Sequence, residues 1–288
     1  MALSNSSLQA MQTGQKPTTT DLQPTVFWRL AERIPGALHW RLTVVSILAP
    51  LLVWWGVTQT PWVDPRFLPS PMQVLQAMGR LWQEGFLLRD TLASGFRVVA
   101  GFFLAGVVAT PIGIGMGAFA SIRTLLEPLI GLLRYMPAAA FIPLLIIYFG
   151  LDEAPKIILI FLGTVFFNVL MIMDAVKFVP KELIEVTYTL GGNRWQVLLK
   201  VITPYIVPSI LDTLRVNIAT SWNLVVIAEL IAANEGLGKR IQLAQRFFRT
   251  DEIFACLLIL GLIGVVIDVG MRYFTRFTCR WAFSKSGG

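Results

Sequence analysis

Long apolar blocks alternate with shorter polar stretches along the chain, and the blocks exceed what a water-soluble core requires. A helix that crosses a bilayer needs roughly 20 mostly apolar residues. Six stretches approach that length: Leu42–Val57, Val98–Ala120, Leu125–Phe149, Ile157–Val176, Ile206–Ala233 and Phe254–Phe274. The second carries Gly101, Gly106, Gly113, Gly115 and Gly117, small residues that let helix backbones approach closely in lipid. The third is interrupted by Pro137 and Pro143, and the fifth is less apolar than its neighbours. The pattern predicts an all-α polytopic membrane protein with about six transmembrane helices.

The polar stretches add detail. Within Thr58–Ser94, residues 69–92 place Val74, Met78, Leu81, Trp82 and Phe86 at helical spacing, which predicts an amphipathic helix too polar to span. Residues 1–23 are rich in Ser, Thr and Gln, nearly free of charge, and are expected to be disordered. They do not read as a signal peptide, since no basic region leads into an apolar one. Residues 24–40 set Phe27, Trp28, Leu30 and Ile34 against Arg29 and Arg33. That suits a helix lying in the membrane interface, or a linker ahead of the membrane. The expected organisation is a tail (1–23), an interfacial helix (24–40) and a transmembrane domain (41–288).

Composition agrees with the bilayer as solvent. Charged residues make up 14% of the chain and hydrophobic ones 55%, whereas a soluble domain carries about 25% charged residues. The net charge of +7 would suggest nucleic acid in a soluble protein. Here the basic residues flank the spans, and no aromatic-basic RNA-binding motif or zinc-knuckle spacing accompanies them. Cys256 and Cys279 are too isolated for a disulfide framework, and with the single His39 they supply no metal site. Placing the N-terminus in the cytoplasm puts Lys16, Arg29, Arg33, Arg41, Arg123, Lys177, Lys181, Arg194, Lys200, Arg272, Arg276, Arg280 and Lys285 inside. Arg66, Arg80, Arg89, Arg97, Lys156, Lys239, Arg240, Arg246 and Arg249 then lie outside, so the positive-inside bias favours this orientation only narrowly. Trp54, Trp55 and Trp62 fall at the outer boundary of the first span, where an aromatic belt is expected.

The 177–205 loop is the most informative stretch. Pro180 can start a short helix, Gly191-Gly192 permits a tight turn, and Trp195, Val197, Leu198 and Val201 give a second helix an apolar face. Pro204 and Pro208 mark the start of the fifth span. A short helix across the end of a bundle can seat in a groove on a soluble partner, so that movement of the partner moves the flanking spans.

Glu185-Val186-Thr187, then Gly191, then Val201 and Pro204 resemble the EAA motif of ABC importer permeases: Glu-Ala-Ala, three residues, Gly, nine residues, Ile-x-Leu-Pro. The spacing matches throughout. Val186 and Thr187 stand in place of the alanines, Val201 in place of Ile and Thr203 in place of Leu. FLPSPMQV (67–74), ASGFRVVAGF (93–102), LRYMPAAAFIPLLIIYFG (133–150) and EGLGKRI (235–241) resemble the subgroup that imports nitrate, bicarbonate, sulfonates and taurine. The texture is most similar to the cyanobacterial nitrate/nitrite permeases and their bicarbonate paralogues. The resemblance implies a type I importer fold of the MetI-like kind, with coupling to ATPase subunits through Glu185, Val186, Thr187, Gly191 and Arg194. It also implies a second permease chain forming a homodimer, two cytoplasmic ATPase subunits that hold ATP and magnesium, and a periplasmic or lipoprotein substrate-binding protein. No GxxxxGK[ST] phosphate loop is present, so this chain is not expected to be the ATPase by that chemistry; the resemblance implies a transporter subunit of the inner membrane, not an enzyme, with its energy source on a partner.

Ionisable groups inside a bilayer are costly and mark candidate functional positions. Arg134, Asp212, Arg215 and Glu229 qualify, with Trp222 and Asn223 beside the last as further candidates for the pathway. Arg134 or Arg215 could attract a small anion. Alternatively Asp212 and Arg215, at i and i+3 on one helical face, neutralise each other. Asp174 is placed to fix the coupling loop. A secondary transporter would show internal repeats, a channel a filter segment, and a membrane enzyme a nucleophile–base set or metal cluster. None of these is evident.

Overall fold

The computed structural model describes residues 36–283. The expected tail, and residues 24–35 of the expected interfacial helix, lie outside the described residues. Residues 36–40 open the first helix instead. Through Val57 the chain forms one unit and from Thr58 a second. The first contains α1 (Gly36–Thr58), which is apolar around its whole circumference, with Leu48, Leu52 and Val53 exposed. Such a helix fits an apolar solvent on every side. His39 sits in its first turns and its carbonyl accepts from the Thr43 hydroxyl.

The second unit holds the remaining spans. α2 (Pro71–Gln83) starts at a capping box in which Ser70 and Gln73 satisfy each other's backbone N–H groups, with Pro71 at the first turn. It buries Val74, Ala77 and Leu81 but leaves Trp82 exposed. Gly85, at φ 75°, ends the run. The stretch 69–92 is therefore two elements rather than one amphipathic helix, and residues from Phe86 onward belong to the next span. That span is α3 (Phe86–Ala118), about three turns longer at its start than hydropathy suggests.

The expected third span is broken. α4 (Ala120–Leu133) and a 3₁₀ turn (Ala138–Phe141) leading into α5 (Ile142–Phe149) meet at 80°. Pro137 caps the 3₁₀ turn and Pro143 occupies the first turn of α5, so both prolines sit where their missing N–H costs nothing. α6 (Glu153–Val176) follows. Five described helices are long and apolar enough to cross a membrane, and the bent pair makes a sixth candidate.

α3 and α6 form the spine. A Cβ on Gly101 would come 2.7 Å from the Ile157 carbonyl, on Gly113 2.8 Å from that of Val169, and on Gly117 2.5 Å from the Val176 Cβ. Residue numbers rise together along both helices, so the two run parallel. Ala105 and Ala109 continue the same buried seam, whereas Gly106 and Gly115 fall off it. Close backbone approach of this kind is how helices associate where lipid supplies no hydrophobic drive.

Beyond α6 come α7 (Lys181–Thr189), the single turn α8 (Arg194–Gln196), a π segment (Val197–Ile202) and α9 (Thr203–Ala232). The predicted second loop helix is thus continuous with the fifth span, joined to it through the π segment. α10 (Leu237–Arg246), α11 (Thr250–Thr278) and the short α12 (Arg280–Phe283) complete the chain. The 30 residues of α9 separate α7 from α10 by about 45 Å, so these elements mark opposite ends of the bundle.

Candidate functional site

The α7 end is built as an anchored base with an exposed tip. After α6, Lys177 pairs with Asp174 at 2.5 Å, and Pro180 caps α7. Ile184 and Thr187 turn partly inward, while Glu185, Val186, Tyr188 and Leu190 are exposed. Gly191 takes φ 81°, and the Gly192 N–H closes the helix on the Thr187 carbonyl at 2.9 Å. A Cβ on Gly192 would meet the Thr187 Cγ2 at 2.7 Å, so the side chain in the third motif position packs against the turn. Asn193 then caps α8, accepting from the Trp195 and Gln196 N–H groups at 3.0 Å. Arg194 is exposed. Val197, Leu198 and Ile202 are buried in one cluster with Met116, Val176 and Val179. The Trp195 ring meets that of Phe119, at the end of α3, with centroids 6.2 Å apart. The spine's end and the loop's base are therefore one packed body.

Among the spans, the predicted polar residues separate. Arg134 lies exposed at the break in the third span, and its guanidinium donates to the Tyr135 hydroxyl at 2.9 Å. Asp212 and Arg215 pair at 2.8 Å, and Arg215 also reaches Asp268 of α11 at 3.0 Å. Trp222 is buried in a cluster with Val98, Ile160 and Val225. Asn223 is exposed, on a stripe of α9 with Asp212, Val216, Ala219 and Thr220. The exposed stripe of α11 reads Leu258, Leu262, Val265, Val266 and Val269. A lipid-facing surface is apolar like the second stripe; amides and hydroxyls on the first need protein or water opposite them. Behind it, the Asn217 Nδ2 donates to the Asn168 Oδ1 at 2.7 Å.

Glu229 belongs to a knot at the α10 end. Arg97, 2% exposed, makes four hydrogen bonds: two to the Glu153 carboxylate at 2.5 and 2.8 Å, one to Glu229 at 2.6 Å and one to the Glu235 carbonyl at 2.8 Å. Lys156 adds a bond to Glu153 at 2.9 Å. The Ser94 hydroxyl donates to Glu229 at 2.8 Å and accepts from the Leu237 N–H at 2.9 Å. Asp90 accepts from the Gly236 N–H and from Arg240, whose guanidinium lies 4.0 Å from the Phe86 ring. Glu229 also accepts from the Gly238 N–H at 2.8 Å. The carboxylates of Asp90, Glu153 and Glu229 thus face the cations of Arg97, Lys156 and Arg240, and charge balances. The knot also explains the two glycines of EGLGKRI. A Cβ on Gly236, at φ 127°, would come 2.4 Å from the Glu229 carboxyl carbon, and one on Gly238 would come 2.7 Å from the Val226 carbonyl.

Sequence reasoning assigned Arg97, Lys156 and Arg240 to solvent-facing loops and did not single out Asp90, Ser94 or Glu153. One signal was available: Asp90, Ser94 and Arg97 recur at i, i+4 and i+7, one face of a helix that is otherwise apolar.

Residues 101–278 match the family described as binding-protein-dependent transport system inner membrane component. The taurine transport system permease protein TauC of Escherichia coli (strain K12) is 34% identical over 258 residues, covering 88% of this chain and 94% of its own. A putative ABC transporter permease of Methanocaldococcus jannaschii is 39% identical over 234 residues, covering 80% and 88%. The putative aliphatic sulfonates transport permease protein SsuC of E. coli is 31% identical over 245 residues, covering 84% and 93%. An inward-facing structure of the MetNI methionine ABC transporter superposes with a TM-score of 0.61 at 17% identity, over 66% of this chain and 95% of that one. The all-helical fold with its broken span is the MetI-type permease fold, and the chain belongs to the binding-protein-dependent transport system inner membrane components, the permease subunits of ABC transporters.

Proposed function

We propose that this chain is the membrane half of an ATP-driven importer of small oxyanions, with taurine and related sulfonates as the first substrate class. The observation that carries the importer reading is the α7 end. A helix with exposed Glu185, Val186, Tyr188 and Leu190 is held on a base packed into the spine. In this reading α7 seats in a cytoplasmic ATPase subunit, Glu185, Val186, Thr187, Gly191 and Arg194 form the contact, and movement passes to α3, α6 and α9. The α10 end then faces outward, toward a substrate-binding protein, and both termini are cytoplasmic. A second copy of the chain completes the path, covering the α9 stripe of Asp212, Thr220 and Asn223 together with Arg134 at the break.

The substrate class rests on the relatives, whose names specify taurine and aliphatic sulfonates. Nitrate, nitrite and bicarbonate, which the sequence texture favours, are competing arms of one test. The reconstituted permease–ATPase complex is assayed for ATPase stimulation by binding protein with each anion. Stimulation by taurine or an alkanesulfonate supports the sulfonate class, and stimulation by nitrate alone replaces it. Uptake by this chain in vesicles without an ATPase would defeat the importer reading. Arg134→Ala and Arg215→Ala, with assembly checked separately, test the path. Normal uptake in both removes them from it.

A further inference from the structure

Gly101, Gly113 and Gly117 of α3 serve the spine, and Gly106 and Gly115 do not. A Cβ on Gly106 would lie 3.4 Å from the Leu214 Cδ2 and one on Gly115 3.7 Å from the Ile122 Cδ1, so no backbone approach demands a glycine at either place. What the missing side chains leave is space. Gly106 floors a groove of about 680 Å³ between α3, α9 and α11, which Phe102, Leu214 and Phe274 also line. Gly115 floors a second, of about 380 Å³, between the end of α3 and the base of the loop, walled by Trp195, Leu198 and Leu199. Thr110 and Pro111 line both, so the two grooves follow one another along α3.

The lining decides what can enter. The Thr110 hydroxyl donates to the Gly106 carbonyl at 2.7 Å and the Thr203 hydroxyl to the Leu198 carbonyl at 2.8 Å, so both hydroxyls are turned to backbone. The other polar side-chain group in the lining is the Trp195 indole N–H, at the α7 end, on a ring 59% exposed. A wall without free donors or acceptors rejects sugars, amides and anions and accepts hydrocarbon. The first groove continues the apolar stripe Val99, Phe103 and Val107, each more than half exposed. On α9 its lining residues Leu211, Leu214 and Ile218 stand about 150° around the helix from Asp212, Ala219 and Asn223. A second copy that covers the polar stripe therefore leaves this groove to the bilayer.

Length and charge narrow the occupant to one class. Gly106 and Gly115 are separated along α3 by about 14 Å, close to the roughly 15 Å that one leaflet contributes to a hydrocarbon core. At the α7 end Leu199 is followed by Lys200, which is exposed and has no ion-pair partner among the described residues. An ammonium and an indole N–H at the mouth of an apolar slot match the phosphate of a lipid whose acyl chain lies in the slot.

We propose that residues 106–115 of α3, with Trp195, Leu199 and Lys200, bind one acyl chain and the phosphate of an anionic phospholipid from the leaflet at the α7 end. That leaflet is the cytoplasmic one on the importer reading; the site itself does not depend on it. The bound lipid touches the end of the spine and the base of the loop at once, and braces one against the other.

The test places the permease–ATPase complex in phosphatidylcholine nanodiscs doped with a phosphatidylglycerol that carries a diazirine midway along one acyl chain, and maps the cross-linked peptides. Labelling concentrated on residues 106–115 and 195–203, competed by unlabelled phosphatidylglycerol better than by phosphatidylcholine, supports the proposal. Lys200→Gln, a surface change, is expected to lower that preference about fivefold. Gly115→Leu fills the floor with a better helix former and is expected to abolish the labelling with the melting temperature retained. Labelling spread evenly over the lipid-facing surface, Leu258 and Val266 of α11 included, marks annular lipid only and overturns the proposal. So does a pattern that neither variant changes. Grooves that take no label overturn it as well and point to a helix of a neighbouring subunit as the occupant. None of these outcomes touches the importer reading, which is decided by uptake without an ATPase.

Discussion

The two ends of this bundle are held by different physics. At the α10 end, carboxylates and cations are buried together, and Glu229 and Arg97 are almost wholly out of solvent. At the α7 end, the base is apolar and the charged residues of α7 are exposed. A buried ion cluster tolerates few geometries, because losing one partner strands the other in a poor solvent. An apolar base with an exposed helix tolerates movement of the helix while its anchor holds. The packing therefore ties the α10 end to the spine and leaves α7 exposed on an anchored base, as the proposed coupling role requires.

That contrast makes graded predictions for thermal stability of the purified complex. Arg97→Ala leaves Glu229 buried beneath a missing cation and is expected to cost ~3–5 kcal/mol. Adding Glu229→Gln should recover part of that loss, and a double-mutant cycle on the melting temperature measures it. Gly236→Ala forces a Cβ against the Glu229 carboxylate in a strained conformation, with an expected loss of ~1–3 kcal/mol by the same melt. Asn193→Ala removes the α8 cap at the other end and is expected to cost ~1 kcal/mol. Glu185→Ala, fully at the surface, should change stability by less than about 0.5 kcal/mol. Its effect appears in uptake per ATP hydrolysed, which should fall roughly tenfold if α7 is the gripped element. Equal melting losses at Arg97 and Glu185 would erase the distinction between the ends.

Much of the fold is legible from apolar block length, because bilayer thickness sets a length that hydropathy reads directly. The start of α3 is not, since Arg89, Asp90 and Arg97 look like loop residues until partners from α6, α9 and α10 are brought to them. Arg97 and Glu229 stand 132 positions apart, so nothing local in the sequence announces their contact. Trp222 and Asn223 are neighbours with opposite fates, one in the core and one on the exposed α9 stripe. A helix turns about 100° per residue, and only packing decides which of two polar neighbours faces in. The EAA-like spacing predicts the α7 turn correctly because Gly191 is required by backbone geometry, which is local.

The π segment Val197–Ile202 gives the loop between α6 and α9 an arithmetic. A π turn holds more residues than the α turn it replaces, closed here by the Thr203 backbone N–H donating to the Leu198 carbonyl five positions back, to which the Thr203 hydroxyl also donates. Each residue carries about 100° of helical phase. The direction in which Trp195 leaves the helix axis toward Phe119 is thus fixed by how many residues separate it from α9, not by the contact alone. Among sequences of this architecture, this stretch should accept substitution far more readily than a change of length. A single deletion would remove one residue of helical phase and turn α7 and Trp195 away from the direction that their packing against Phe119 now sets.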